Sequence, residues 1–347
     1  MKAARILREA CGARFTGAVA RLEQSGEVVW EEAFGNVDAS ALSPQVEITT
    51  RFDLASLTKP FVATAALRAV AEERLHLDRP LLDLVPEWKG RAHARITLRS
   101  LLAHTSGMDS GADYRRLLGD DVEAFALGLP LIAAPFSRVV YSDLGFIALG
   151  VILSRAYGLG LGAVTARAVS EIGAAAAGYR PASRERPAIP ATEEDAWRGR
   201  VRGSVHDEKA HLMNGIAGHA GLFGTAAEVA ALAEAYLGPL HGRSQRTLPM
   251  ALAREAIAEH GSDAVLRRGL GWALKTSDEN SCGTAMSRTT FGHTGFVGTS
   301  VWADPPRDLS IVLLTNAVYF GRNDLRDLRA AVCDAVVAEM DRCARSA

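Results

Sequence analysis

Strand-like alternation is confined to the two ends of this chain, with a long run of helical spacing between them. Early strands are expected at 17–22 and 28–34, around a turn at Gln24-Ser25-Gly26. Strand patterns return after residue 265, at 270–275, 288–293, 298–303 and 310–315, with a turn over 304–308. Helical spacing covers 1–12, from Leu57 to about Leu75, then 97–104, 121–128, 144–157, 161–174, 225–237 and 248–259, and finally about Asp324 to Arg342. Residues 180–202, rich in Pro, Glu and Arg, read as a long loop that shapes a site or stays mobile. Strands so far apart are expected to pair with one another. The chain is thus expected to be α/β (α+β), an antiparallel sheet flanked by N- and C-terminal helices with a large all-helical lobe inserted. The expected boundaries are 1–55 and 262–347 for the sheet domain and 56–261 for the helical one, since 347 residues exceed what one core usually manages. A site is expected at the interface, with its pocket shaped by 108–135 and 180–215.

Composition narrows the function. Hydrophobic residues at 48% and charged residues at 23% describe a globular chain. A formal net charge of −1, with no long basic run, argues against nucleic acid or an anionic membrane as main partner. No apolar run is long enough to span a bilayer, and the N-terminal charges lack an apolar stretch behind them, so a cytoplasmic location is expected. Cys11, Cys282, Cys333 and Cys343 have neither C-x-x-C nor zinc-finger spacing and are expected to be free thiols.

Three short segments carry chemistry. Ser56-Leu57-Thr58-Lys59 opens a helix, so the Ser56 hydroxyl and the Lys59 amine fall on one face. A hydroxyl needs a base to become a nucleophile, and a neutral amine can come from Lys but not from Arg. Lysine is scarce here, at positions 2, 59, 89, 209 and 275 only. In isolation the same tetrapeptide also reads as a helix start with Ser56 as N-cap and Lys59 on the wet face. Tyr141-Ser142-Asp143 stands on a loop before a helix; a phenol beside an ammonium ionises more easily and can act as base, while Asp143 also reads as a helix N-cap. Gly292-His293-Thr294-Gly295 ends a strand, where backbone amides can face a developing oxyanion.

In this order the three segments resemble the serine β-lactamase and penicillin-binding-protein superfamily, in the branch of class C β-lactamases, D-aminopeptidases and related esterases. The stretches 101–108, Trp197-Arg198-Gly199-Arg200, Val205-His206-Asp207 and 218–223 strengthen the resemblance, which covers nearly the whole chain. It implies Ser56 as nucleophile, Lys59 as its proton partner and Tyr141 as base in acylation and relay in deacylation. It implies an oxyanion hole from the backbone N–H groups of Ser56 and Phe296, with Asp143, His293, Thr294 and Gly295 lining the substrate site. His293 and Thr294 would hold the substrate or tune Tyr141. Asp143 stands where well-known lactamases have Asn, and cannot donate an amide hydrogen bond. His293 stands where they have Lys, so the cation facing a substrate carboxylate is weaker or absent near pH 7. Uncharged acyl donors should therefore outperform carboxylate-bearing ones, by a margin that widens as pH rises through the histidine range.

The expected function is a serine hydrolase working through an acyl-enzyme on a small ester, amide or D-amino-acid peptide, with β-lactams as minor substrates. The alternative is a non-catalytic ligand-binding relative, but such a protein has no need of Ser56, Lys59 and Tyr141 together. The partner is a small-molecule acyl substrate; no cofactor and no metal are expected. His206, Asp207, Glu208 and His211 carry donor atoms, but their spacing is not H-E-x-x-H. His219 reads as structural or as part of the cleft rim. Gly158-Leu159-Gly160-Leu161-Gly162 follows a helix rather than a strand and reads as a helix–helix joint. Lys275-Thr276-Ser277 lacks the glycine of the third motif and lies too early to replace it.

Overall fold

The computed structural model describes residues 1–111, 113–243, 248–262 and 267–346. Helix α1 (Lys2–Ala10) leads into the hairpin β1 (Gly17–Gln24) and β2 (Glu27–Gly35). Ser25 and Gly26 make its turn with φ of 55° and 80°, the left-handed pair that matches the twist of two-residue hairpins. A short strand β3 (Phe52–Asp53) and a tight turn over Ala55–Leu57 precede α2 (Thr58–Ala71). The helical block continues with α3 (Leu98–Leu102), α4 (Val122–Gly128), α5 (Asp143–Tyr157) and α6 (Leu161–Glu171). It carries the small strands β4 (Gly178–Tyr179), β5 (Glu194–Asp195) and β6 (Gly199–Arg200), then α7 (Glu208–Leu212), β7 (Leu222–Gly224), α8 (Ala226–Leu240) and α9 (Met250–Ile257). The chain ends with β8 (Gly261–Ser262), β9 (Arg267–Arg268), β10 (Ala273–Leu274), β11 (Phe291–Thr294), β12 (Ser300–Asp304), β13 (Leu309–Thr315) and α10 (Arg326–Ser346).

The two ends of the sequence build one antiparallel sheet in the order β2-β1-β13-β12-β11-β10-β9-β8. The first strand joins the last in register, with Ala18 opposite Thr315 and Gln24 opposite Leu309. Period-two alternation then sends successive residues to opposite faces. Ala18, Ala20, Leu22 and Leu313 pack with Leu7 of α1 and Val332 and Val336 of α10. Val19, Val312 and Leu314 belong to the core shared with Val229, Leu232 and Tyr236 of α8 and with α2. A hydrogen bond of 2.8 Å between the Thr64 and Tyr236 hydroxyls links α2 to α8. Asn316, just past β13, is fully inside: its Oδ1 accepts from the Thr16 and Gly17 amides, and its Nδ2 donates to Thr16 Oγ1 and the Ala191 carbonyl.

Two sequence expectations change in detail. The strand expected over 270–275 shrinks to Ala273–Leu274, because Gly269 bonds back to the Trp272 carbonyl and Gly271, at φ 82°, turns the chain against Ala63 of α2. The expected loop over 180–202 contains the β5–β6 hairpin, tied by Asp195, whose Oδ1 accepts from the Trp197 and Arg198 amides. The glycine run at 158–162 is a helix joint: Gly158, at φ 65°, ends α5 and Leu161 starts α6.

Candidate active site

Ser56 sits in the tight turn that feeds α2. The residue before it, Ala55, is held at φ 47°, a conformation that costs a residue with a Cβ about 1–3 kcal/mol. Asp53 holds it there: Oδ1 accepts from the Ala55 amide at 2.8 Å and Oδ2 from the His206 amide at 2.6 Å. One helical turn on, the fully buried Lys59 Nζ donates to Ser56 Oγ at 3.0 Å and to the His219 carbonyl at 3.1 Å, and pairs with Asp143 Oδ1 at 2.8 Å. Tyr141 is a further side-chain hydrogen-bond partner of the same amine. Burial pulls the Lys59 pKa down, but the Asp143 carboxylate and Tyr141 more than offset it, and the pKa ends above the ordinary lysine value. The neutral amine expected from the sequence is therefore replaced by a cation, because Asp143 lies against it.

Asp143 does not cap α5. Ser142 does, with Oγ accepting from the Gly145 amide at 2.8 Å. Asp143 is the first residue of the helix, free to turn its carboxylate to Lys59 and, through Oδ2, to Lys209 Nζ at 3.3 Å. Burial would raise its pKa, but Lys59, His219 and Lys209 hold it below the usual carboxylate value.

Tyr141 lines the cleft, with Lys59 Nζ 4.9 Å and the Arg268 guanidinium carbon 5.1 Å from its ring centroid. Its loop is held by the 101–108 stretch: His104 Nδ1 accepts from the Ser142 amide at 3.0 Å, its carbonyl accepts from Val140, and its ring lies 4.6 Å from that of Tyr141. Burial, then Arg268 and Lys59, push the His104 pKa well down, which keeps this ring nitrogen an acceptor.

The third segment closes the site. His293 Nδ1 donates to the Thr294 carbonyl at 2.8 Å, since a carbonyl can only accept. Burial, then the charges of Arg268 and Lys59, push its pKa well below the ordinary value, so His293 is neutral. Gly295 rests on the turn that holds Ser56; a Cβ there would lie 2.7 Å from the Leu54 carbonyl oxygen and 3.3 Å from Ala55 Cβ. Thr299 Oγ1 donates to the same Leu54 carbonyl at 3.2 Å. Arg329 NH2 gathers the Gly295 and Thr299 carbonyls at 2.9 and 3.1 Å. Ser56 and Phe296 thus lie on adjoining segments. Phe296, 55% exposed, stacks on His206 at 5.7 Å.

Ser56, Tyr141, Arg268, His293, Thr294 and Phe296 face one cleft of about 780 Å³. Its remaining walls come from Arg267, Gly295, Gly298, Trp302 and the segments 273–281 and 322–329; among the described residues none comes from the expected 108–135 or 180–215. Those segments supply Tyr114, Glu193, Trp197 and Lys209 to a second recess of about 630 Å³, which shares Arg322 with the cleft. The four residues His206, Asp207, Glu208 and His211 diverge. His206 stacks on Phe296, Glu208 pairs with Arg322, and His211 meets the Trp197 ring edge-on. Asp207 reaches His219 Nε2 at 2.8 Å. Donor atoms of Asp143, Asp207 and His219 do lie within 4.8 Å of one another, but Lys209 Nζ already stands between the two carboxylates. Sequence reasoning missed Lys209, Arg268 and Arg329 as parts of the site. The scarcity of lysine was the one signal that pointed to Lys209.

The beta-lactamase family model matches residues 3–334. Esterase EstB of Burkholderia gladioli is 32% identical over 94% of this chain and 91% of its own length. An N-acetylmuramyl-L-alanine amidase of Bacillus subtilis (strain 168) is 27% identical over 91% of this chain and 80% of its own. Among solved structures, EstCE1, described as a hydrolase with promiscuous acyltransferase activity, superposes with a TM-score of 0.80 at 23% identity, covering 97% of both chains.

Proposed function

The chain belongs to the beta-lactamase family and is one of its serine hydrolases; from that premise we propose that it cleaves small esters through an acyl-enzyme on Ser56. The observation that carries the reading is the Ser56 Oγ–Lys59 Nζ hydrogen bond of 3.0 Å, in the wall of the cleft that Tyr141 also lines. Lys59 as ammonium does not remove the Ser56 proton; it steadies the oxygen as that proton leaves. Tyr141, acting as phenolate, takes the proton to become the phenol and then returns it to the leaving alkoxide. Ser56 Oγ bonds to the acyl carbon, the carbonyl oxygen becomes an anion facing the Ser56 and Phe296 amides, and the C–O bond to the leaving group breaks. Water then repeats the sequence on the acyl-enzyme, with Tyr141 again accepting the proton.

Esters come first because EstB, the 32% identical relative, is named an esterase. Amides and D-amino-acid peptides are further candidates, as the amidase relative suggests, and β-lactams are minor substrates. The roles of His293, Thr294, Gly295 and Phe296 in holding the substrate, and a cytoplasmic place of action, are part of the proposal; Asp143, expected from the sequence to line the substrate site, has both oxygens on Lys59 and Lys209 and is proposed to orient Lys59 instead. The test is hydrolysis of p-nitrophenyl acetate and butyrate by purified wild type and Ser56→Ala. Turnover by wild type and its loss in the variant is expected; equal rates would overturn the reading.

A further inference from the structure

Behind Lys59 lies a closed ring of five residues. Lys59 Nζ pairs with Asp143 Oδ1 at 2.8 Å. Asp143 Oδ2 meets Lys209 Nζ at 3.3 Å, and Lys209 Nζ meets Asp207 Oδ2 at 3.5 Å. Asp207 Oδ1 meets His219 Nε2 at 2.8 Å, and the His219 carbonyl returns to Lys59 Nζ at 3.1 Å. Lys59 and His219 are fully buried and Lys209 nearly so. Two ammoniums and two carboxylates balance inside the ring. A carboxylate with both oxygens held cannot swing, so Lys209 fixes the direction from which Asp143 holds Lys59. Asp207 fixes the other support through His219. A divalent ion among Asp143, Asp207 and His219 would face two ammoniums; Lys209 is the resident cation there.

We propose that Lys209 is a positioning residue of the reaction: with Asp207 it clamps the outer oxygen of Asp143 and so keeps the Lys59 ammonium on Ser56 Oγ. This inference rests on the Ser56 reading above. Other titratable groups facing Lys59 are Tyr141, His104 and His293, and Arg268 lies over the Tyr141 ring; all are left intact by the test.

Lys209 also lines the open recess, so a small ammonium ion can reach its place once the side chain is shortened. The experiment compares wild type, Lys209→Ala, Lys209→Arg and Asp207→Asn on p-nitrophenyl butyrate across pH, with and without methylammonium chloride. Expected for Lys209→Ala is a fall in kcat of roughly 10²-fold at little change in KM, as for a misplaced catalytic group. Methylammonium and the Arg variant should each restore part of the loss, and Asp207→Asn should lower kcat and move the acid limb of the profile. A folded Lys209→Ala enzyme with wild-type kcat overturns the proposal. So does one that is slow but recovers with neither methylammonium nor Arg. If Lys209→Ala does not fold, the near-isosteric Asp207→Asn decides: unchanged kcat and pH profile there overturn it. A wild type that turns over no ester ends the Ser56 reading instead, whereas an active wild type with an indifferent Lys209 ends only this one.

Discussion

Lys59 carries its charge fully buried, and the surroundings supply what water would. Its partner Asp143 is the change that matters most. Removing one side of a buried pair leaves an uncompensated charge, so Asp143→Ala should lose about 3–5 kcal/mol in urea unfolding. The pH dependence follows from the directions of the shifts. The pKa values of Asp143 and Asp207 lie below the ordinary carboxylate value in the folded chain. Their stabilisation is therefore present above about pH 4 and lost as pH falls through the lower folded values, so thermal stability should drop below pH 4 and less steeply in Asp207→Asn. Lys59 is shifted the other way, upward, so its contribution is intact below the unfolded lysine value of about 10.4 and is lost only above its raised folded value. His293 corrects the expectation of a preference that widens through the histidine range. It is already neutral there. The ratio of kcat/KM for matched neutral and carboxylate-bearing esters should be flat from pH 6 to 8, and a ratio that tracks a histidine titration would contradict the buried, Nδ1-protonated ring.

Among the elements, the turn at Ala55–Leu57 and the end of β11 matter most to the proposal, because the proposed oxyanion site takes one amide from each side of their contact. Gly295 is the point of contact, and its importance is steric: a side chain there meets the Leu54 carbonyl oxygen and Thr299. Gly295→Ala should lower kcat by about 10²–10³-fold, the loss seen when one oxyanion donor is misplaced, while Tm falls by only a few degrees. A variant with wild-type kcat would separate Gly295 from the oxyanion site. The stranded chain ends, the helix after Ser56 and the Tyr141 loop were legible in the sequence because each follows local rules of spacing and turn chemistry. The β8–β10 edge was not, since Gly271 bends it against Ala63, a contact made more than 200 residues away in the chain. Nor was the cap of α5: Ser142 and Asp143 both suit that position, and what frees Asp143 is a lysine on another helix.

At the scale of the whole molecule, the chain's two ends share one sheet, and the site depends on their being joined. Asn316 ties β13 to the start of β1 and to the segment at Ala191 with four hydrogen bonds. Asn316→Ala strands several buried polar groups and should cost about 2–4 kcal/mol in urea unfolding; a loss near zero would show that the two ends hold together without it. One antiparallel sheet shared by the chain's two ends, with the first and last helices on one face, was readable from alternation at the termini; the order of its strands was not. The ring of Lys59, Asp143, Lys209, Asp207 and His219 was not, because it draws on three separated segments and no spacing links them. The central claim, that Ser56 is acylated in this setting, is tested most directly by intact-mass and peptide-mass measurement after rapid acid quench with p-nitrophenyl butyrate. The account predicts a transient adduct of one butyryl group on the peptide that holds Ser56, absent from Ser56→Ala and slow to form in Tyr141→Phe. Ester turnover with no adduct, or an adduct on any other residue, would contradict it.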